Sequence, residues 1–164
     1  MEKQKVWVVC GAGESIGPAT VQYLLLRGQK VVAIPSSYTD REKDLKIYQA
    51  KFPMADIRLT NIFHSPDTEK AVRQIIEQYG RIDRLVNIGD GGLLSLYVLS
   101  AMQKAGKGHI IQFLDNESDN NVGLKQPILN LSPVNAETGG VLYSVIEPGL
   151  FFQSMLYHQS NDKT

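Results

Sequence analysis

The chain has 164 residues, the length of one domain, and its 43% apolar content supplies enough core to argue against disorder along the whole length. Seventeen basic and seventeen acidic residues cancel, so no strongly basic field exists for nucleic acid or an anionic membrane. A single cysteine, Cys10, excludes an internal disulfide and any zinc site built on several cysteines.

Met1 to Lys5 leads into Val6–Cys10, an apolar run of five residues that is too short for a secretory signal or a membrane span. The expectation is a cytoplasmic protein, with one domain over residues 1–164. The run is also too short for a helix and ends at glycine, as a strand buried on both faces does. From Gly17 the period changes. Ala19, Val21, Leu24, Leu25 and Leu26 predict a helical face that stops at Gly28. Lys30 to Ile34 is a second strand, ended by Pro35.

Asp40 to Phe52 predicts an amphipathic helix on Leu45, Ile47, Ala50 and Phe52, and Asp56 to Leu59 a third strand. Ser65-Pro66-Asp67 starts a helix whose stripe is Ala71, Val72, Ile75, Ile76 and Tyr79, closed by Gly80. Ile82 to Ile88 is a fourth strand, Leu93 to Ala105 a helix and His109 to Leu114 a fifth strand. Leu142 to Ile146 is a sixth. Between them, Asp115 to Gly140 resists assignment beyond a short helix around Leu124 to Leu131. Short apolar strands alternating with helices predict an α/β fold: a Rossmann-like, doubly wound three-layer sandwich with a mostly parallel six-stranded sheet. The expected strand order is 3-2-1-4-5-6.

Gly11-Ala12-Gly13-Glu14-Ser15-Ile16-Gly17 stands after a strand and opens a helix. A pyrophosphate needs glycine there for close backbone approach, and the helix N-terminus supplies N–H donors. The plainer alternative is a tight turn that needs glycine for geometry alone. No His-x-x-x-His spacing is present, so no metal site is expected. Cys10 reads as a small buried hydrophobe, with a reactive thiol at the helix N-terminus as the alternative.

That turn resembles the T-G-x-x-x-G-x-G turn of the short-chain dehydrogenases/reductases, with Cys10 in place of threonine and Ser15 in place of the second glycine. Gly80-Arg81-Ile82-Asp83-Arg84-Leu85-Val86-Asn87 resembles the family's G-x-I-D-x-L-V-N segment. Gly108-His109-Ile110-Ile111 and Pro148-Gly149 are similar to its fifth-strand opening and sixth-strand end. The resemblance implies a dinucleotide, NAD(P)(H), as cofactor. Its carried-over binding positions are Gly11, Gly13, Ser15, Ile16, Gly17, Ser36, Asn61, Asn87 and Gly89. The NAD-type Asp after strand two is replaced by Pro35-Ser36-Ser37, and Arg41 follows, which leans to NADP; the plainer and equal alternative is a solvated polar loop. Glu14 and Asp90 place carboxylates where phosphate and ribose would lie, and oppose binding.

The family's Ser, Tyr and Lys chemistry requires a tyrosine four residues before a lysine, with the phenol as acid/base. No such pair occurs in the second half of this chain. Lys125 falls near the expected place and is the one weak catalytic candidate; Asn121 stands where the tyrosine belongs. About 20 residues separate Asn87 from Gly108, too few for the family's extra helix, which also builds its usual dimer.

The leading expectation is therefore a shortened, non-catalytic relative, a pseudoenzyme that binds a dinucleotide and serves as sensor, scaffold or partner subunit. One alternative is an active NAD(P)-dependent oxidoreductase whose acid is Asp115, Asp119 or Tyr143. Another is an interaction protein that has lost the cofactor. Any homo-oligomer or protein partner would use a non-standard interface.

Overall fold

The computed structural model describes residues 3–35, 40–89, 91–113 and 136–146. In chain order they form β1 (Val6–Cys10), α1 (Gly17–Leu26), β2 (Lys30–Ile34), α2 (Arg41–Lys51), β3 (Asp56–Ile57) and α3 (Ser65–Tyr79). Then come β4 (Arg84–Ile88), α4 (Gly92–Ala105), β5 (Gly108–Phe113), β6 (Ala136–Thr138) and β7 (Val141–Ile146). One sheet holds all seven strands in the order β3-β2-β1-β4-β5-β7-β6.

Six of the strands run parallel, in the expected order, with β7 as the sixth. The addition is β6, which pairs antiparallel with β7 at the sheet edge. Gly139 and Gly140 join the two with φ of +57° and +78°. A two-residue turn with both φ positive matches the twist of a tight hairpin.

The central strands are apolar on both sides because both faces are covered. Val9, Val31, Ala33, Val86 and Ile111 meet Val21 and Leu24 of α1 and Phe52 at the end of α2. Val8, Val32, Leu85 and Ile110 face the other way, onto Val72 and Ile75 of α3 and Leu94, Val98 and Met102 of α4. Burying each such side chain contributes about 1.5–3 kcal/mol.

Two predicted helical faces are corrected. On α1 the inward face is Gly17, Thr20, Val21 and Leu24, whereas Ala19 and Leu26 face solvent. On α2 no residue is buried, and Ile47 is 51% exposed. This helix lies beside the edge strand β3, where little sheet is available to cover it; its C-cap Phe52 is buried in the core, and the partly buried Tyr48 packs against it. β3 is also shorter than predicted, ending at Ile57. The predicted helix at 124–131 lies outside the described residues.

The chain reverses direction across the sheet after β3, so β1 lies between β2 and β4. That reversal opens a crevice beyond the carboxyl ends of β1 and β4, the place where ligands bind in open α/β sheets.

Candidate functional site

The turn from β1 to α1 occupies that crevice. Gly11 takes φ +83°, and its N–H donates to the Ile34 carbonyl at 2.8 Å. A Cβ on Gly11 would lie 2.5 Å from the carbonyl oxygen of Ile88, so the turn packs directly on the end of β4. A Cβ on Gly17 would lie 2.1 Å from the Gly11 carbonyl oxygen, so α1 starts against the turn's own backbone. Ser15, where the resemblance expects glycine, adopts φ +50°.

Inside the turn, Glu14 N–H donates to Gly11 and Gly17 N–H to Glu14. The amides of Gly13, Ser15 and Ile16 have no hydrogen-bond acceptor among the described residues. Ile16 is the N-cap of α1 and offers no side-chain cap, and the first turn carries no acidic residue. A helix N-terminus so left attracts an anion through its unpaired N–H groups and its dipole.

Two features bear on that opening. The Glu14 side chain is exposed beside it, and its charge reaches inward. Cys10 is fully buried, and its thiol is pushed up to about 12, first by burial and then by Glu14. Such a thiol behaves as a small hydrophobe and not as a nucleophile. Secondly, Tyr48 of α2 lies over the turn, where a Cβ on Gly13 would meet its hydroxyl at 2.2 Å. Burial, then Asp44 and Glu14, raise the Tyr48 phenol.

The floor of the crevice is a polar brace. Asn87 is 0% exposed, and its Nδ2 donates to Ser95 Oγ of α4 at 2.9 Å. Ser95 Oγ in turn donates to the Gly91 carbonyl at 3.0 Å. Asn87 Oδ1 is buried without a hydrogen-bond partner, against Gly91, where a Cβ would lie 2.2 Å away. Gln112 of β5 donates to the carbonyls of Asn87 and Gly89 at 3.2 and 3.3 Å. These bonds fix the β4 exit, where Gly89 takes φ +85°.

The crevice thus brings together Gly11, Gly13, Ser15, Ile16, Gly17, Asn87 and Gly89. Asn87 sits beneath it and points into α4. Asn61 lies apart, after β3 and two strand spacings from β1, about 10 Å across the sheet. Its Oδ1 accepts from Phe63 N–H at 3.1 Å, and it lines a cleft of about 460 Å³ with Arg41 and Thr60. Ser36, Lys125, Asp90, Asp115 and Asp119 lie outside the described residues. Tyr143 is buried in the core on the α3/α4 side, which raises its phenol. Among the described residues no three His, Cys, Asp or Glu side chains gather as a metal site, and no helix is long and apolar enough to cross a membrane.

Sequence reasoning missed Tyr48, Ser95 and Gln112. A polar residue inside the apolar strand His109–Phe113, and a serine among the leucines of α4, were available signals for the last two. Nothing local marks Tyr48, whose contact is 35 positions away.

The short chain dehydrogenase family matches residues 5–92, more than half of the chain. Over 102 residues the chain is 29% identical to an uncharacterized oxidoreductase of Listeria monocytogenes and equally to one of Listeria innocua. In each case the match covers 62% of this chain and 40% of the relative, so the matched stretch spans well under half the length of those proteins. Among solved structures, a metagenomic short-chain oxidoreductase in complex with NADP superposes with a TM-score of 0.64 at 22% identity, covering 88% of this chain and 82% of that one. A short-chain dehydrogenase from Streptomyces avermitilis gives 0.61 at 17% identity, covering 90% and 66%. With the Gly11–Gly17 turn, the strand order and the β4 segment in place, the chain belongs to the short-chain dehydrogenase family.

Proposed function

We propose that this chain is a dinucleotide-binding domain of short-chain dehydrogenase type, which holds NAD(P)(H) on the Gly11–Gly17 turn and does not carry out the family's usual reaction. The observation that carries the reading is the set of unpaired amides of Gly13, Ser15 and Ile16 at the start of α1, set in the crevice between β1 and β4. Those donors and the close-packed glycines fit a pyrophosphate. When bound, such a cofactor accepts or supplies a hydride. In this chain Ile16 and its neighbours would hold the phosphates, while the Asn87–Ser95 brace keeps the crevice in shape. The name of the metagenomic neighbour, a complex with NADP, agrees with this reading.

The non-catalytic half rests on the sequence, which places no tyrosine four residues before a lysine in its second half. Arg41 opens α2 after the N-cap Asp40, close in sequence to Ser36 and Ser37, which favours NADP over NAD. A second reading, an active oxidoreductase, is favoured by the names of the two Listeria relatives.

Trp7 is the single tryptophan, which provides the test. Energy transfer from Trp7 to bound NADPH should be saturable. No NADPH-dependent turnover of simple ketones, aldehydes or alcohols should accompany it. Steady turnover abolished by Lys125→Ala would overturn the non-catalytic half, and the absence of energy transfer or other binding signal at millimolar NADPH and NADH would overturn the binding half.

A further inference from the structure

The opposite end of the sheet carries a second charged concavity. Lys5 precedes β1, Asp83 precedes and Arg84 opens β4, and Lys107 precedes β5, so all four lie at the amino-terminal ends of adjacent strands. Together with Lys3 and Arg81 they line a cleft of about 300 Å³. Five cations therefore surround one carboxylate in a chain whose net charge is zero.

That carboxylate is already engaged. Asp83 Oδ2 accepts from Val6 N–H at 2.8 Å and from Arg81 Nε at 2.8 Å, while Arg81 also donates to the Gln4 carbonyl at 3.2 Å. Asp83 N–H donates back to the Val6 carbonyl, and His109 N–H to the Asp83 carbonyl. The backbone of the cleft is thus pinned from three strands, and Lys5 and Arg84 are half-buried in it. Neighbouring groups register the positive field. Burial opposes ionisation of Asp83, but Val6 N–H, Arg81 and Lys107 outweigh it and hold the carboxyl below its usual range. His109, in register with Arg84 on the next strand, is pushed down to about 4 by burial, then by Arg84 and Lys5.

We infer that this cleft is a binding site for a small multivalent phosphate anion, distinct from the glycine turn. Its size is that of a small-molecule site. A polyanion such as nucleic acid is held by many phosphate contacts along an extended basic face, whereas these five cations converge on one cleft of about 300 Å³. The five residues of β1 separate the two ends of the sheet by about 17 Å, so an anion here leaves the glycine turn open.

Inorganic pyrophosphate is the probe, titrated into nitrogen-15-labelled protein at low ionic strength, where charge interactions are least screened. The expected result is a saturable shift of the Lys5, Arg84, Gly108 and His109 amides, weakened at least tenfold in Lys5→Gln/Lys107→Gln. Should that double variant fail to fold, Lys107→Gln alone, an exposed change, should weaken binding at least threefold. Shifts confined to Gly13, Ser15 and Ile16 would overturn the inference, as would affinity unchanged in the folded variant or the absence of saturable shifts. Tighter retention by phosphatidylglycerol vesicles than by pyrophosphate would overturn it too, in favour of a membrane surface. The supporting shifts and the effect of the lysine substitutions are read at residues away from the glycine turn, so they do not depend on whether a dinucleotide binds there.

Discussion

The phenol of Tyr48 covers Gly13: a side-chain carbon on that glycine would meet the tyrosine hydroxyl at 2.2 Å, across 35 positions of sequence. Gly17 is crowded in a different way, by the Gly11 carbonyl oxygen at 2.1 Å. The far end of a side chain can swing aside, and a backbone carbonyl cannot. Gly13→Ala should therefore cost less than about 1 kcal/mol, and Gly17→Ala about 3 kcal/mol or more. Urea unfolding of the two variants measures both. Equal losses would contradict the packing described for the turn.

Ser15 holds φ +50°, in the region that glycine enters without steric cost. An L-residue there is strained by about 1–2 kcal/mol, part of which is offset by the greater chain entropy of unfolded glycine. Ser15→Gly should stabilise the fold by about 0.5–1 kcal/mol, read as a raised urea midpoint with an unchanged slope. A lowered midpoint would show that the serine side chain contributes more than its backbone costs.

Asn87 and Ser95 form a buried pair between β4 and α4. Ser95→Ala leaves Asn87 Nδ2 without its partner at a position where both side chains are buried. The expected loss is about 1–3 kcal/mol. Chemical denaturation checks it, and a change below about 0.3 kcal/mol would mean that the brace is not a structural element of the crevice.

His109 donates to or accepts from Ser144 at 2.7 Å and faces Arg84 and Lys5. Its folded value, about 4, lies below the ordinary 6.5. The unfolded chain therefore takes up the proton first as pH falls. The stabilisation is present above pH 6.5 and is lost as pH falls through about 4. Urea midpoints at pH 7 and pH 4.5 should differ, and His109→Gln should reduce the difference. A variant with the same pH dependence as the parent would assign the acid limb to other groups.

The order of the six parallel strands was legible because glycine and proline punctuate short runs of β-branched residues. Val6–Cys10 and Lys30–Ile34 need no tertiary information to be read as buried strands. The helix faces were less legible. Leu45, Ile47 and Ala50 have helical spacing, yet α2 lies at the margin of the sheet and buries none of them. The strand β6 has only the residues Ala-Glu-Thr, with one β-branched residue and too few positions for an alternating pattern, although the Gly139-Gly140 pair after it is a hairpin signal. At the site, the glycine frame was readable from its place between strand and helix. The Tyr48 cover and the Asn87–Ser95 brace were not, because each joins residues from separate elements through side-chain contacts that local periodicity does not encode.

The central claim is that the Gly11–Gly17 turn binds a dinucleotide, and the most direct test is a thermal-shift titration with NAD, NADH, NADP and NADPH in parallel. A ligand bound only by the folded chain adds about 2.7 kcal/mol at 100 times its dissociation constant. The account predicts a saturable rise in Tm, larger for NADP or NADPH than for NAD or NADH. No rise with any of the four at millimolar concentration would contradict it.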